Sequence, residues 1–226
     1  MSRDAFARVR ERINRACQRC SRDPSSVTIV CVTKGLPVER IQEAIAWGAA
    51  DVGENRVQEA RQKQVALGEA GRRLRWHLIG HLQRNKAKDA VGMFNLIHSV
   101  DTPALAEALS RQAGPQGRRV AVLLQVNVSG EAAKSGCRPD EAEALGAAVL
   151  AAPHLELRGL MTMAPMTDHP ETTRPVFRRL RLLRETLQER LGRRPLLLSM
   201  GMSQDFDVAI EEGADFVRIG TALFSS

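Results

Sequence analysis

The chain has 226 residues, of which 43% are hydrophobic and 26% are charged. These proportions are those of an ordinary folded domain, so they exclude a disordered chain and a collagen-like one. The formal net charge is +7, but only five of the 33 basic residues are lysines. Most arginines are interleaved with glutamate on predicted helices, which favours a solvated helical surface over a nucleic-acid site.

The first segment predicts a helix around Asp4 to Cys20, without the continuous apolar stretch of a secretory signal. No apolar run approaches the ~18 residues that a membrane span needs. The four cysteines fall in patterns typical of helix, strand and loop, and they do not form a disulfide framework. We therefore expect a cytoplasmic protein that does not contact a membrane.

Eight strand-like runs alternate with amphipathic helical stretches along the rest of the chain. They cover residues 27–34, 51–55, 75–80, 96–101, 120–128, 155–163, 196–203 and 216–224. This alternation predicts an α/β protein, a single (β/α)8 barrel of the TIM type with an extra N-terminal helix, formed by residues 1–226 as one domain. An open doubly wound sheet is the alternative, but no G-x-G-x-x-G follows an early strand.

Functional side chains of such barrels gather at the carboxyl ends of the strands. Lys34 ends the first run, which is otherwise apolar, so we expect its ammonium to be desolvated at the barrel mouth. Desolvation leaves an amine that can attack an aldehyde, as in Schiff-base lysines. The alternative is a strand-end lysine that extends to water.

The loops after the seventh and eighth runs have the composition of a phosphate site. The segment from Ser199 to Asp205 and the pair Gly220-Thr221 offer small residues, hydroxyls and close backbone approach. Ordinary turn chemistry explains either loop alone, but their joint placement favours phosphate. Asp205 is expected to cap the helix that follows.

Arg218 lies inside the eighth run, where an unpaired guanidinium is costly, so it needs an acceptor. A salt bridge with Glu54 or Asp207 is the alternative to a ligand. His77 and His81, placed after the third run, have no third ligand at metal spacing, so a hydrogen-bonded barrel histidine is favoured over a metal site.

Seven stretches, in order along nearly the whole chain, resemble the pyridoxal phosphate homeostasis proteins, a single-barrel family related to the N-terminal domain of alanine racemase. The stretches are VTKG around Lys34, VGENRVQE (52–59), WHLIGHLQRNK (76–86), QVNVSGEAAKSG (125–136), LRGLMTM (157–163), LSMGMSQDF (198–206) and VRIGTALF (217–224).

The resemblance implies that pyridoxal 5'-phosphate is the cofactor, carried as a Schiff base. It implies cofactor-binding roles for Lys34, Asn55, Ser199, Gly201, Ser203, Arg218, Gly220 and Thr221. Arg218 would face the pyridine nitrogen and keep it unprotonated, which weakens the cofactor as an electron sink. Lys134 is assigned a role in cofactor transfer. Arg56 departs from the family pattern, in which many members carry a tyrosine.

The resemblance further implies a part in vitamin B6 homeostasis and an effect on amino-acid and keto-acid balance. We also expect a monomer, with pyridoxal-phosphate-dependent apo-enzymes as partners. A two-base racemase needs a second base opposite the lysine, normally a tyrosine, and the sequence contains none. We therefore expect a binder, with no metal and no assigned catalytic residue. A racemase or lyase with a one-base mechanism stays open as the alternative.

Overall fold

Eight parallel strands close into a barrel in which each strand pairs with its neighbours in sequence and β8 returns to β1. The computed structural model describes residues 3–131 and 134–224. The strands are β1 (Thr28–Val32), β2 (Asp51–Glu54), β3 (Arg75–Leu78), β4 (Leu96–Val100), β5 (Val120–Gln125), β6 (Leu155–Met161), β7 (Leu197–Met202) and β8 (Phe216–Ile219). The expected barrel is confirmed; that residues 1–226 form one domain stays a prediction.

Helices connect the strands and cover the outside of the barrel. In the described part of the chain they are α1 (Arg3–Arg19), α2 (Val38–Ala46), α3 (Val57–Leu67), α4 (Glu69–Arg73), α5 (Ala87–Val91), α6 (Pro103–Ala113), α7 (Ala142–Ala151), α8 (Arg174–Arg190), α9 (Phe206–Glu211) and α10 (Thr221–Phe224). The extra helix α1 packs against α9 and α10. None of the helices within residues 3–131 and 134–224 has the length and apolar character needed to cross a bilayer.

The core has an outer and an inner part, because the strands carry apolar side chains on both faces. Ile41 of α2 and Phe177 of α8 are fully buried in the layer between helices and strands. A smaller apolar cluster consists of Leu96, Leu123 and Met161, on three consecutive strands. The two clusters hold the strands rigidly, so the loops at their carboxyl ends have a fixed base.

All eight predicted runs extend past the strands that form, by one to five residues, and two of these ends bear on the site. β1 ends at Val32, so Thr33 and Lys34 lie in the turn that follows it. The last run is a strand only as far as Ile219, and Thr221–Phe224 is the short helix α10. The chain leaves the barrel at Gly220, whose carbonyl accepts hydrogen bonds from the N–H groups of the last two residues of α10. The apolar residues of this segment therefore pack as a helix.

Candidate functional site

A cavity of about 500 Å³ opens at the carboxyl ends of the strands, a size typical of small-molecule sites. Residues from the turns after β1 and β2, from the loops after β3, β6 and β7, and from β8 line it. Among them are six of the eight predicted cofactor-binding residues: Lys34, Asn55, Ser203, Arg218, Gly220 and Thr221. The structure brings these six together, and their contact with a cofactor stays a prediction.

The side chain of Lys34 is exposed at the rim of this cavity. The expected desolvation is wrong, because β1 ends two residues earlier and the chain turns at Gly35, which has a φ of 69°. Of the lysines, Lys63 and Lys134 are those that form salt bridges within the described residues. The Lys34 amine is therefore free of carboxylate partners in that part of the chain.

A buried ionic cluster lies beneath the turn that carries this lysine. Lys63, only 5% exposed, donates hydrogen bonds to Glu54 Oε1 at 2.7 Å, to Glu59 Oε1 at 2.6 Å and to the carbonyl oxygen of Thr33 at 2.6 Å. The Thr33 hydroxyl donates to the same Glu54 oxygen at 2.5 Å. A buried lysine thus ties the start of the turn to β2 and α3.

The other side of the turn is held by the same cluster, because the Gly35 N–H donates to Glu59 Oε1 at 2.5 Å. Burial raises the pKa of Glu54, although the hydrogen bond from Lys63 opposes this. Burial alone would raise the pKa of Glu59 as well, but hydrogen bonds from Lys63 and Gly35 outweigh it and lower that pKa. Both chain neighbours of Lys34 are therefore fixed while its own side chain is not.

Arg218 is the buried cation of the cavity, with 4% of its surface exposed. Its guanidinium donates from Nη1 to Ser199 Oγ and from Nη2 to the carbonyl oxygen of Thr162, both at 2.8 Å. Burial lowers the pKa of Arg218 to about 10. The side chain stays cationic at neutral pH, and the acceptors that hold it are neutral.

The salt bridges considered for Arg218 from the sequence are wrong. Glu54 pairs with Lys63, and Asp207 of α9 pairs with Arg12 of α1. Each of these carboxylates is thus paired with a cation other than Arg218. Arg218 therefore has no salt bridge within the described residues, and its charge faces the cavity.

A line of buried polar side chains crosses the barrel interior behind Ser199. His98 Nδ1 lies 2.9 Å from Ser199 Oγ, and His98 Nε2 lies 2.9 Å from His77 Nδ1. His77 Nε2 in turn lies 2.9 Å from Asp51 Oδ1. Asp51 also accepts two hydrogen bonds from Arg75, at 2.7 and 2.5 Å. His77 is thus inside β3, not after it as expected, and its hydrogen-bonded role agrees with the favoured interpretation.

The loops after β7 and β8 meet at a hydroxyl. Ser203 Oγ accepts hydrogen bonds from the N–H groups of Gly220 and Ala222, both at 3.2 Å. Thr221 lies between these two N–H groups and lines the cavity. This corner offers the Ser203 and Thr221 hydroxyls as donors that a phosphate oxygen can accept from, while the Gly220 and Ala222 N–H groups are used by Ser203 Oγ.

Two residues of the β7 loop have structural contacts. Asp205 stands at the start of α9, but its carboxylate accepts from the Met202 N–H at 2.6 Å and makes no hydrogen bond to the helix, so the expected cap is wrong. This hydrogen bond comes from a residue that precedes Asp205 in the chain, and it closes the turn between β7 and α9. Gly201 has a φ of 89°, and a Cβ there would lie 2.5 Å from Cβ of Ala209, so glycine lets β7 and α9 approach.

Comparison with known proteins places the chain in a family. The model of the alanine racemase N-terminal domain matches residues 5–226. The pyridoxal phosphate homeostasis protein of Pseudomonas aeruginosa is 44% identical, over 98% of this chain and 94% of its own. That of Aquifex aeolicus is 43% identical, over 98% and 96%. The chain belongs to the pyridoxal phosphate homeostasis protein family.

Solved structures agree with membership of the homeostasis family. PipY of Synechococcus elongatus, solved with PLP bound, is 39% identical with a TM-score of 0.82, over 95% of this chain and 100% of that one. Alanine racemase from Corynebacterium glutamicum is 19% identical with a TM-score of 0.74, which shows a shared barrel fold.

Four residues discussed for the homeostasis family lie outside the cavity lining. Ser199 lies beneath Arg218, and Gly201 packs against α9. Lys134, in the loop after β5, forms a salt bridge with Glu131 at 2.6 Å. Arg56 is exposed at the start of α3. The roles of Ser199, Gly201 and Lys134 toward a cofactor stay predictions.

Sequence reasoning missed His98 and Lys63. His98 stands at every second position with Leu96 and Val100 in a fully buried strand, so a polar residue there signals a partner across the barrel. Lys63 stands four residues after Glu59 on α3 and on the same side as the buried Ala60 and Leu67. A lysine at a position that the helical pattern buries indicates a buried ion pair, and this is the signal that could have revealed Lys63.

Proposed function

We propose that this protein binds pyridoxal 5'-phosphate at the barrel mouth, attaches it covalently through Lys34, and takes part in intracellular vitamin B6 homeostasis. The observation that carries the proposal is a cavity that combines a free amine at its rim with a buried guanidinium that has only neutral partners. The amine suits an aldehyde, and the guanidinium suits an acceptor atom on the ligand.

The residues present fit the cofactor. When bound, pyridoxal 5'-phosphate supplies an aldehyde that condenses with a lysine amine to a Schiff base. The hydroxyls of Ser203 and Thr221 would donate to its phosphate, and the N–H groups of Gly220 and Ala222 would reach it only by leaving Ser203 Oγ. Arg218 can only donate, so it would hold the pyridine nitrogen as an acceptor. Asn55 completes the lining between these groups.

Absorbance of the purified protein tests this proposal. After incubation with pyridoxal 5'-phosphate and desalting, the wild-type protein should retain an equimolar amount of the cofactor and absorb in the visible range. Lys34→Ala should lose this signal, whereas Lys88→Ala, which changes an exposed lysine outside the cavity, should keep it. Equal cofactor retention by both variants would overturn the assignment of Lys34.

The protein is further proposed to be a cytoplasmic monomer that supplies the cofactor to pyridoxal-phosphate-dependent apo-enzymes, without contacts to nucleic acid or membranes. Its four cysteines are free thiols, which suits a reducing compartment. Light scattering at several concentrations should give the mass of a single chain. The loaded protein should restore activity to an apo-aminotransferase, and the Lys34→Ala variant treated in the same way should not.

One observation favours the alternative of an amino-acid racemase or lyase. His81 lines the cavity with Nδ1 3.7 Å from Asp101 Oδ2, and burial raises the pKa of Asp101 against the opposing effect of His81. Such a pair can carry a proton. Exchange of the α-proton of L- and D-alanine in deuterated water decides: enzymatic rates that fall in His81→Gln favour catalysis, and their absence favours the carrier.

A further inference from the structure

The proton positions along the buried line behind Arg218 follow from its two ends, Asp51 and Ser199. Asp51 accepts from Arg75 and from His77 Nε2. Burial alone would raise the pKa of Asp51, but the hydrogen bonds from His77 and Arg75 outweigh it and lower that pKa. The carboxylate is therefore ionised and is an acceptor only, so His77 must carry a hydrogen on Nε2.

Ser199, at the other end of the line, fixes the second histidine. Arg218 Nη1 donates to the Ser199 oxygen, so the Ser199 hydrogen needs an acceptor, and His98 Nδ1 at 2.9 Å is that acceptor. Burial above all keeps the pKa of His98 well below its usual range. A neutral His98 with Nδ1 as an acceptor carries its hydrogen on Nε2 and donates it to His77 Nδ1 across 2.9 Å, so His77 carries its hydrogen on Nε2 alone.

The last step reaches the cavity. With His98 Nδ1 as an acceptor, the Ser199 hydroxyl donates to it at 2.9 Å and keeps its lone pairs for Arg218 Nη1 at 2.8 Å. If His98 carried its hydrogen on Nδ1 instead, the fully buried Ser199 would have no acceptor for its own hydrogen among the described residues. A buried donor without a partner is costly, so one direction of the chain is strongly favoured.

We propose that His98 and His77 are positioning residues for Arg218: as neutral imidazoles they carry a one-way chain of hydrogen bonds from Ser199 to Asp51, which keeps the Ser199 oxygen an acceptor for the guanidinium. The effect on the cofactor rests on the proposed function. The series of hydrogen bonds does not depend on the cofactor, so it can be measured in the cofactor-free protein.

Nitrogen-15 NMR of the cofactor-free protein, with labelled histidine, tests the chain directly. His98 should show an unprotonated Nδ1 and a protonated Nε2 at neutral pH, and His77 should show the same pattern. His98 is identified by the signal lost in His98→Asn. A protonated Nδ1 or an imidazolium at His98 would overturn the proposal.

Hydrogen exchange of the Arg218 guanidinium is the second test of the positioning role. In His98→Phe, which removes the acceptor but keeps a ring, the Arg218 guanidinium N–H groups should exchange with solvent roughly tenfold faster than in the wild type. His154→Phe, outside the line and outside the cavity, should leave that rate unchanged. His98→Asn, whose carboxamide oxygen can accept the Ser199 hydrogen, should recover part of the protection. Equal exchange in His98→Phe and wild type would contradict the proposal.

The loaded protein separates the two proposals. His98→Phe should lose bound pyridoxal 5'-phosphate on dialysis roughly tenfold faster than His154→Phe. If the wild type binds no cofactor while His98 has the expected hydrogen positions and Arg218 the expected exchange, the proposed function fails and the positioning role stands. If the cofactor binds but His98 is protonated on Nδ1, the positioning role fails alone. If His98→Phe does not fold, the nitrogen-15 spectrum of the wild type still tests the positioning role, because it shows which nitrogen of His98 is protonated.

Discussion

Beneath Lys34 lies a cluster of charges, whereas the groups that hold Arg218 are neutral, namely the Ser199 hydroxyl and the Thr162 carbonyl. Lys63, Glu54 and Glu59 hold the backbone on both sides of Lys34 and make no contact with its amine. Ser199 and the two histidines instead hold a side chain, the guanidinium of Arg218. The two cations of one cavity are thus supported in opposite ways.

The difference follows from what each group has to do. An amine that forms a covalent bond must be unpaired and able to move, so support can act only through its backbone. A guanidinium that orients a ring must stay in one place, so support acts on its side chain. Neutral acceptors hold Arg218 without cancelling its charge, which a carboxylate at the same place would do.

The largest expected effect tests the charged cluster. Lys63→Met removes the cation that pairs with buried Glu54 and half-buried Glu59, so an uncompensated buried carboxylate remains. The free energy of unfolding should fall by about 3–5 kcal/mol, measured by urea denaturation. Lys88→Met, on the exposed surface, should change it by less than ~0.5 kcal/mol. A loss below about 1 kcal/mol for Lys63→Met would show that the cluster does not support the Lys34 turn.

A smaller loss is expected on the neutral side. Ser199→Ala leaves Arg218 Nη1 and His98 Nδ1 without their shared partner, so the free energy of unfolding should fall by about 1–3 kcal/mol. Ser99 of β4 is the matched control, because it is equally buried and its hydroxyl has no partner within the described residues. Ser99→Ala should be neutral or stabilising. An equal change in the free energy of unfolding for Ser199→Ala and Ser99→Ala would contradict the role of Ser199 in holding Arg218.

The pH dependence of stability sharpens the comparison. The pKa of folded His98 is well below that of the unfolded chain, so below pH ~6.5 the unfolded state takes up a proton that the folded state does not. This contribution to stability is complete above that pH and is lost as the pH falls. Wild type should therefore lose up to about 1.4 kcal/mol per pH unit relative to His98→Phe. Parallel stability profiles of the two proteins, from urea denaturation between pH 7 and ~5, would contradict a neutral His98.

The smallest stability effect is expected at Lys34 itself. Lys34→Arg keeps the positive charge at an exposed position without a carboxylate partner in the described chain, so the free energy of unfolding should change by less than ~0.5 kcal/mol. Thermal unfolding without cofactor measures this. A loss of several kcal/mol would mean that the Lys34 side chain has a structural role, like Lys63.

Much of the fold and part of the site followed from local sequence patterns. Eight apolar runs predicted the barrel, and polar residues at strand ends pointed to Lys34, Ser203 and Thr221, which do line one cavity. These features depend on short stretches of chain and on one topological rule, that parallel strands place their carboxyl ends together.

The supports of the site did not follow, because they depend on contacts across the closed barrel. His98 and Ser199 are 101 residues apart and lie on strands that are not neighbours, so no local pattern pairs them. The exposure of Lys34 depends on β1 ending at Val32, and strand ends are set by pairing with the adjacent strands.

Borohydride reduction followed by peptide mapping tests the central claim most directly. The protein loaded with pyridoxal 5'-phosphate and reduced should carry the reduced cofactor on the peptide that contains Lys34, and the Lys34→Arg variant should carry none at stoichiometric amount. Stoichiometric label on another lysine, or an unlabelled Lys34 in a protein that retains the cofactor, would contradict the account.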